Sequence, residues 1–337
     1  MRALRLHAAG ELALHEEQAP EAAADKTHVR VGAVGLCGSD LHWFGEAGIG
    51  DATLDRPLVL GHEFAGTVIG GPLDGRLVAV DPAMSCGKCH TCAAGLGHLC
   101  PDVVFAGHGK QDGGLQEIVS WPTELLHPLP STLSDEDGAM LEPLGVALHA
   151  HDLGHVRAGA TVAVHGCGPI GLLLVQLLAA TASRVVAVDP RQHRREAAGQ
   201  LGADVWLSAE EAQDPQVLLD ATGGRGADVA FEVAGTDGAV NDAMSVVRPG
   251  GRVILVGIPD EDRTSFRASL ARRKGLTVLL SRRMGEVYPR AIRLVERGIV
   301  DVRTVVTHRF DLGEAAAAFD AAAARTGHKV VVRPGGL

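Results

Sequence analysis

The sequence has few aromatic residues, no excess of positive charge and no long apolar run. Aromatic side chains make up 3% of the 337 residues, too few for the stacking platforms that bind single-stranded nucleic acid. The formal net charge is −10, and the dense basic clusters, residues 191–195 and 272–274, are short; we therefore predict no nucleic-acid partner. The longest apolar stretch, residues 170–180, falls short of the roughly 18 residues that a membrane-spanning helix needs, so no membrane partner is predicted.

The N-terminal residues and the length support two further expectations. The segment MRALRLHAAG has neither a continuous apolar region nor a cleavage site, so we find no secretory signal and expect a cytoplasmic protein. At roughly 100–200 residues per domain, the length predicts two domains. Glycine contributes 43 residues, well above the usual share of about 7%, which predicts many tight turns and close backbone approaches.

Short apolar runs divide the chain into three segments. Residues 1–148 carry runs separated by Gly and Pro, such as PLVLGHEFAGTVIG, which predict a β-rich unit. Residues 149–280 alternate strands with helices, a pattern typical of a doubly wound parallel sheet. Residues 281–337 end in the apolar strand HKVVVRP, which we expect to return to the first domain. The predicted fold class is α/β.

Four of the six cysteines fall within one short loop: Cys86, Cys89, Cys92 and Cys100. Four thiolates in one loop can surround a tetrahedral Zn²⁺, and this closed shell leaves no coordination position for a substrate. We therefore predict a structural zinc site. An iron–sulfur cluster, which usually has a different cysteine spacing, and four free cysteines are the alternatives. His90 and His98 lie between the cysteines and are interpreted as bystanders.

A second set of metal-binding residue types is dispersed along the first segment. Cys37 lies in GLCGSD, His62 and Glu63 lie in GHE, and Glu142 lies in LEPLG. A thiolate, an imidazole and carboxylates are the ligands of an open zinc site, where a position remains for water or substrate. Each residue has a plain alternative, since buried Cys and His are often inert core residues. Sequence spacing alone leaves their convergence open.

A glycine-rich turn begins the second segment. Gly166, Gly168 and Gly171 form a GxGxxG motif that follows the strand TVAVH and opens an apolar helix, and Asp189 ends the next strand. These glycines would form the tight turn, admit a pyrophosphate and let the helix pack, while the acid would bind the adenosine ribose. We predict a dinucleotide site. An S-adenosylmethionine site is the alternative.

The residues around Asp189 give conflicting indications about the cofactor. Its carboxylate would accept a hydrogen bond from a free ribose 2′-hydroxyl and would repel a 2′-phosphate, which predicts NAD. Arg191, Arg194 and Arg195 oppose this prediction, because each could pair with a phosphate. Since the acid occupies the position that contacts the ribose, we predict NAD.

The order of these motifs resembles that of a known family. A four-cysteine loop, CGSDxH, GHE and a later GxGxxG together resemble the zinc-dependent medium-chain alcohol dehydrogenases over nearly the whole chain. LEPLGVALHA, PDVVF and VTHRF are most similar to the sorbitol (polyol) dehydrogenase branch, and threonine dehydrogenases share much of the pattern. The resemblance implies a GroES-like catalytic domain (1–148 and 281–337), a Rossmann domain (149–280), substrate in a cleft between them, and a homotetramer or homodimer.

The resemblance also implies roles for individual residues around a catalytic zinc. It assigns Cys37, His62 and Glu63 to this zinc, and it lets Glu142 either bind the metal directly or hold the zinc-bound water. Ser39 and His42 match proton-relay positions.

Other matched positions concern the cofactor and the substrate. Trp43 matches a position that contacts substrate, and Arg283 matches one that touches both substrate and cofactor. Arg194 matches a residue beside the adenosine ribose. The remaining positions that we assign to cofactor binding are Pro169, Ile170, Val256, Gly257 and Ile258. Two departures from the branch pattern bear on the choice of substrate: Trp43 stands where Tyr is usual, and Met284 stands where polyol enzymes often carry Tyr.

The predicted activity follows from these assignments. We expect hydride transfer between a secondary alcohol of polyol, sugar or cyclitol type and NAD, giving the ketone, with one catalytic and one structural Zn²⁺. Oxidation of a threonine-type amino alcohol is one alternative. A non-catalytic nucleotide-binding relative is the other.

Overall fold

The computed structural model describes residues 1–21, 23, 25–181 and 183–336. These residues form two compact units. Unit 1 contains the described parts of Met1–Glu142, Tyr288–Glu296 and Val302–Leu337, and unit 2 contains those of Pro143–Val287 and Arg297–Asp301. The sequence predicts a domain boundary after residue 148, which lies inside the helix Leu141–Gly154.

The strands of the two units follow one another in three blocks along the chain. Those that precede residue 129 belong to unit 1: β1 (Arg2–Ala8), β2 (Glu11–Glu16), β3 (Lys26–Gly35), β4 (Gly48–Ile49), β5 (Ala52–Thr53), β6 (Leu58–Val59), β7 (Glu63–Ile69), β8 (Leu77–Val80), β9 (Ala83–Met84), β10 (Val104–Phe105), β11 (Ile118–Pro122) and β12 (Leu126–Pro128). Unit 2 contains β13 (Thr161–His165), β14 (Arg184–Val188), β15 (Val205–Leu207), β16 (Ala227–Glu232), β17 (Val247–Leu255) and β18 (Thr277–Leu280). The last two strands belong to unit 1: β19 (Val306–Asp311) and β20 (Lys329–Arg333).

The helices of the described residues are mostly short. They are α1 (Gly38–Glu46), α2 (His90–Ala93), α3 (Asp135–Ala139), α4 (Leu141–Gly154), α5 (Pro169–Ala180), α6 (Gln192–Gln200), α7 (Pro215–Ala221), α8 (Asp237–Val246), α9 (Ala268–Lys274), α10 (Tyr288–Glu296) and α11 (Ala315–Ala324). None of the helices in this part of the chain combines the length and the apolar composition that crossing a bilayer requires.

Unit 1 is built around one large sheet. Its strands follow the order β12-β8-β7-β3-β20-β19, and β11 also pairs with β3. Strand β20 pairs antiparallel with β3, so the end of the chain does join the first sheet. Apolar side chains from the sheet and from α1 and α11, including Val31, Phe64 and Phe319, are buried in a common core. Full burial of each such side chain contributes about 1.5–3 kcal/mol.

Unit 2 is a parallel sheet with the order β15-β14-β13-β16-β17-β18. Chain order reverses between β13 and β16, and in doubly wound folds ligands bind beyond the carboxyl ends of the strands at this point. The β-branched strands are buried on both faces, as Val162, Val164 and Val186 illustrate, which explains their continuous apolar sequence. The predicted α/β class, with a β-rich unit and a doubly wound sheet, is confirmed.

Candidate zinc and dinucleotide sites

The four-cysteine loop brings its sulfur atoms together around α2. All four lie within 4.8 Å of one another, with Sγ–Sγ distances of 3.4 Å for Cys89–Cys92, 3.7 Å for Cys89–Cys100 and 4.0 Å for Cys86–Cys92. A tetrahedral Zn²⁺ with Zn–S bonds of about 2.3 Å separates its sulfurs by about 3.8 Å. These residues therefore fit a zinc ion. An iron–sulfur cluster, which inserts several atoms between its thiolates, needs a wider spacing.

One thiol in this loop is stabilised as the thiolate that metal binding needs. The Thr91 hydroxyl lies 3.0 Å from Cys89 Sγ. Hydrogen bonds from Thr91 and then from the Cys92 backbone lower the pKa of Cys89 to about 6. A thiolate is the form that binds a metal.

The dispersed residues Cys37, His62 and Glu63 also converge. Cys37 is the N-cap of α1, His62 precedes β7, and Glu63 begins it; one ligand atom of each lies within 4.8 Å of the others. Gly35 on the neighbouring strand β3 pairs with Glu63, and a Cβ there would collide with the Glu63 carboxylate. His62 and Glu63 are buried and Cys37 is partly buried. A thiolate, an imidazole and a carboxylate are the donor set of an open zinc site, so these residues fit that metal as well.

Asp40 supports this group, and sequence reasoning missed it. It is fully buried, and its carboxylate accepts hydrogen bonds from the backbone N–H of Cys37 (2.9 Å) and of Gly61 (3.1 Å). Its Oδ1 lies 3.6 Å from His62 Nδ1, which leaves Nε2 of His62 for a metal. Burial opposes its charge, yet the facing His62 holds the pKa of Asp40 below its ordinary value.

The charge of Asp40 has a reciprocal effect on His62. Burial by itself lowers the pKa of this imidazole, but the Asp40 carboxylate and the Cys37 sulfur raise it well above its ordinary value. A carboxylate outside the ligand group therefore lies 3.6 Å from one ring nitrogen, and such carboxylates are common neighbours of metal-binding histidines.

Lys329 on β20 is a second supporting residue that sequence reasoning did not include. Its Nζ donates to both Glu63 oxygens at 2.7 Å and to the Leu36 carbonyl at 3.0 Å. Both side chains of the pair are nearly inaccessible, with 3% exposure for Lys329 and 1% for Glu63. This buried ion pair fixes the position of the Glu63 carboxylate.

Glu142 lies near this group but outside it. Among the described residues, the group of mutually close ligand atoms contains Cys37, His62 and Glu63 without Glu142. Burial raises the pKa of Glu142 to about 7, with His62 lowering it and Glu63 raising it. Glu142 is therefore a buried carboxyl group that can carry a proton near neutral pH.

The relay and substrate residues of unit 1 lie on α1. Ser39 is buried, and His42 Nδ1 lies 3.2 Å from Glu46 Oε1. Trp43 is fully buried in the core of unit 1, and in the described part of the chain its indole Nε1 has no hydrogen-bond partner. The Trp43 ring meets the His108 ring edge-on at 5.9 Å between centroids.

The His108 ring packs beside the His62 ring, a contact that the sequence did not predict. Its ring centroid lies 5.3 Å from that of His62 and 5.0 Å from that of Phe105. Its Nδ1 lies 3.1 Å from the Ala106 carbonyl oxygen, so this nitrogen carries the proton. No recognised motif contains His108, and only the folded chain shows that it faces the metal-ligand group.

The remaining predicted substrate residue belongs to unit 2. Arg283 precedes α10 and adopts a left-handed backbone conformation, with φ of 54°. The next residue, Met284, is buried against Gly145, where an added Cβ would collide with the Met284 sulfur.

The glycine-rich turn has the geometry that its spacing predicts. Gly166 has φ of 102°, a conformation that favours glycine. Gly168 is the N-cap of α5 and Pro169 its first residue, so the first turn of the helix directs unpaired N–H groups towards an anion. A Cβ on Gly171 would collide with the Gly166 carbonyl oxygen. Ile170 lies in this same first turn.

Asp189 lies beside this turn. Its carboxylate accepts hydrogen bonds at 2.8 Å from the backbone N–H of Cys167 and of Arg191. Arg195 donates to the Asp189 carbonyl oxygen at 2.9 Å, and a Cβ on Gly168 would lie 3.7 Å from Arg194 Nη1. Arg194 is therefore the arginine that approaches the glycine turn.

Glu232, at the end of β16, connects the loops of the dinucleotide site. Its Oε1 accepts hydrogen bonds at 2.7 Å from the N–H groups of Ala234 and Gly235, and its carbonyl accepts those of Val256 and Gly257. This loop, the Val256–Ile258 segment and the Gly166 turn therefore meet at the carboxyl edge of the sheet.

Comparisons with known proteins show the family to which the chain belongs. Residues 169–297 match the family model for zinc-binding dehydrogenases, and residues 23–131 match that for the alcohol dehydrogenase GroES-like domain. The sorbitol dehydrogenase of Bacillus subtilis is 32% identical over 319 residues, which cover 93% of this chain and 90% of the relative. The chain belongs to the zinc-dependent medium-chain alcohol dehydrogenases. The resemblance to the polyol branch is confirmed.

Solved structures extend the similarity to the fold of this dehydrogenase. An alcohol dehydrogenase from Escherichia coli in complex with NADH is 27% identical, with a TM-score of 0.89 and coverage of 99% of both chains. A zinc-binding dehydrogenase from Sinorhizobium meliloti bound to NADP is 31% identical, with the same TM-score and coverage. The predicted GroES-like and Rossmann architecture is confirmed.

Membership of the family also decides the class of activity. This dehydrogenase is an oxidoreductase that acts on the CH–OH group of secondary alcohols, with zinc and a nicotinamide cofactor. The predictions of an enzyme, of zinc and of a nicotinamide dinucleotide are confirmed. An S-adenosylmethionine site and a non-catalytic relative are thereby set aside.

Proposed function

We propose that this dehydrogenase oxidises a secondary hydroxyl of a polyol, sugar or cyclitol to the ketone with NAD. The observation that carries the proposal is the convergence of Cys37, His62 and Glu63, in a chain that also has the Gly166 turn. The test follows NADH absorbance at 340 nm with a panel of polyols, sugars, cyclitols and amino alcohols. Turnover of cyclic or linear polyols supports the proposal, whereas turnover of amino alcohols alone assigns the enzyme to the threonine type.

Each residue near the zinc site has a distinct part in this proposal. Bound zinc would lower the pKa of the alcohol, and the nicotinamide would accept the hydride. Cys37, His62 and Glu63 hold the metal. Glu142 is not part of their group, so we assign it to hold the water or hydroxyl at the open position instead of binding the metal.

Proton transfer is assigned to α1. Ser39 is buried at the start of the helix, and His42, one turn later, has an 18% exposed side chain that is hydrogen-bonded to Glu46. An imidazole in this position can pass a proton from the buried hydroxyl to solvent.

Replacing His42 tests this relay. We expect His42→Ala to lower kcat at neutral pH by about 10²-fold, the lower end of the range for general acid–base groups, and to recover part of the loss at high pH. The pH profile of kcat measures this, with exposed His7→Ala as the matched control. Full turnover of His42→Ala at neutral pH would contradict the relay.

We propose two zinc ions per chain, one in each cysteine-containing site. Cys89→Ser is expected to remove the ion of the four-cysteine loop and to lower the Tm, because one of four ligands of a closed shell is lost. Elemental analysis should then give one zinc per chain, with kcat retained at temperatures where the variant is folded. A native enzyme that is fully active with one zinc would contradict the assignment.

The preference for NAD is proposed from the position of Asp189. Its carboxylate is buried beside the glycine turn, where a ribose hydroxyl can donate to it and a 2′-phosphate would be repelled. Arg194, whose Nη1 would lie 3.7 Å from a Cβ on Gly168, is proposed as a further contact beside the adenosine ribose. The remaining cofactor contacts that we propose are those of Pro169, Ile170, Val256, Gly257 and Ile258.

Asp189→Ala tests this preference. We expect the native enzyme to favour NAD over NADP by at least about tenfold in kcat/KM, about 1.4 kcal/mol, and the variant to shift towards NADP. Asp204→Ala is the matched control, since the Asp204 carboxylate also accepts a backbone N–H, that of Val185, at 2.8 Å. A native preference for NADP would contradict the proposal and would show that Arg191, Arg194 or Arg195 determines the choice of cofactor.

We propose that Trp43 and Arg283 influence substrate choice.

We also propose that the enzyme is a cytoplasmic homotetramer or homodimer. Strand β18 ends the sheet of unit 2, and Leu280 on it is 77% exposed. An exposed apolar edge strand favours association with a second copy. Light scattering in solution would measure the oligomeric state.

A further inference from the structure

A cavity of about 380 Å³ lies in unit 2 and has no part in the proposed chemistry. Arg225 lies just before β16, Arg248 lies near the start of β17, and Lys274 lies just before β18; all three line the cavity. The Gly166 turn and Asp189, in contrast, follow the ends of their strands. Because the sheet is parallel, the cavity is at its amino edge, opposite the dinucleotide site.

The lining of this cavity is strongly cationic. It contains Arg225, Arg248, Arg267 and Lys274 and a single acid, Asp242. The whole chain has a net charge of −10, so the positive charge of this lining is opposite in sign to the charge of the chain as a whole. A concave surface lined by one sign of charge concentrates small ions of the opposite sign.

Two of these cations are held in place by the fold. Arg248 Nε donates to Asp228 Oδ1 at 2.7 Å. Lys274 Nζ donates to the carbonyl oxygens of Met244, Ser245 and Val247 at 3.2, 2.6 and 2.8 Å. Lys274 thereby offsets the negative end of α8, whose carbonyl groups would otherwise repel an anion.

The other two cations, Arg225 and Arg267, are exposed, as is Arg248. Arg225 acts electrostatically on Asp228, and Arg267 acts on Asp242. Two negative charges oppose these four cations: that of Asp242 in the lining and that of Asp228, which pairs with Arg248. The cavity therefore has a net charge of two positive charges. This surplus matches a dianion, and guanidinium groups bind phosphate oxygens in a bidentate manner.

The same cavity also has an apolar side. Leu218 and Leu219 on α7 and Pro249 in β17 line it, and Leu219 is 38% exposed. We propose that this cavity binds an organic phosphate monoester, with the phosphate among Arg225, Arg248 and Arg267 and the organic part against the leucines.

Isothermal titration of the enzyme saturated with NADH tests the proposal, since NADH fills the dinucleotide site and prevents binding there. The probes are phenyl phosphate, inorganic phosphate and phenol, at an ionic strength of about 0.15 M to screen unspecific attraction. We expect saturable binding of phenyl phosphate with one site per chain, weaker binding of inorganic phosphate and none of phenol.

Two double variants locate the binding. Arg225→Gln/Arg267→Gln should weaken phenyl phosphate binding at least tenfold, whereas Arg272→Gln/Arg273→Gln, on exposed arginines of α9 outside the cavity lining, should leave it unchanged. Unchanged thermal unfolding of both variants without ligand shows that the fold is kept. No saturable binding by the native enzyme, or equal affinity in the two double variants, would overturn the proposal.

Discussion

Cys37→Ser is expected to lower kcat/KM by at least about a thousandfold while the protein remains folded. A serine hydroxyl is a poor zinc ligand compared with a thiolate. The two proposed ligands that remain are His62 and Glu63, and both Glu63 oxygens already accept hydrogen bonds from Lys329 at 2.7 Å. A thousandfold corresponds to about 4 kcal/mol of transition-state stabilisation, which is the order of magnitude that Lewis-acid activation by a metal supplies.

Three measurements separate loss of the metal from loss of the fold. Elemental analysis should find one zinc per chain in Cys37→Ser, the ion of the four-cysteine loop. Circular dichroism should match that of the native enzyme, and kcat/KM should be measured with the best substrate from the panel. Cys89→Ser is the reciprocal control, because it should lose the other ion and retain turnover. Native kcat/KM in a Cys37→Ser enzyme that keeps both ions would show that Cys37 is no ligand.

Local sequence was sufficient for the features whose parts lie close together in the chain. The cysteines of the loop around α2 are separated by few residues, so a short segment already determines that their sulfurs can meet. The Gly166 turn, the apolar strand before it and the helix after it are likewise one continuous segment. Spacing and periodicity therefore predicted that the sulfurs converge and that a strand, a turn and a helix follow one another.

Residues joined by long-range pairing could not be found in this way. Lys329 lies 266 positions from Glu63, and the two meet because β20 pairs with β3 and β3 with β7. An isolated lysine in a C-terminal strand carries no sign of such a partner. Asp40 could have been predicted, because it lies in the CGSD motif. It was missed because an acid in the first turn of a helix is also favoured by the helix dipole and needs no metal site to account for it.

Burial also separates residues that the sequence places side by side. His42 and Trp43 are neighbours on α1, yet the His42 side chain is 18% exposed and Trp43 is fully buried in the core. The resemblance assigned the first to a relay and the second to substrate contact, and only the packing of the helix shows how differently the two are placed.

Lys329→Met is expected to lower the free energy of unfolding of the metal-free enzyme by about 3–5 kcal/mol, the usual cost of removing one partner from a buried ion pair. Methionine has a similar length but no charge, so it leaves Glu63 as a buried carboxylate that has lost its cation. The measurement is the Tm after treatment with a chelator. Lys110→Met is the matched control, because Lys110 and Asp55 form an exposed pair at 3.6 Å with side-chain exposures of 82% and 50%, and such pairs contribute about 0–1 kcal/mol.

The zinc-loaded enzyme should show a smaller loss, because the metal then offers a second positive partner to the same carboxylate. The double variant Glu63→Leu/Lys329→Met removes both charges, and replacing a buried pair by apolar residues is often close to neutral for stability. We therefore expect this variant to recover most of the Tm lost by Lys329→Met, although it loses a proposed zinc ligand and with it activity. A metal-free Lys329→Met enzyme as stable as Lys110→Met would mean that Glu63 does not need a buried cation. The 2.7 Å contacts would then have no measurable effect on stability.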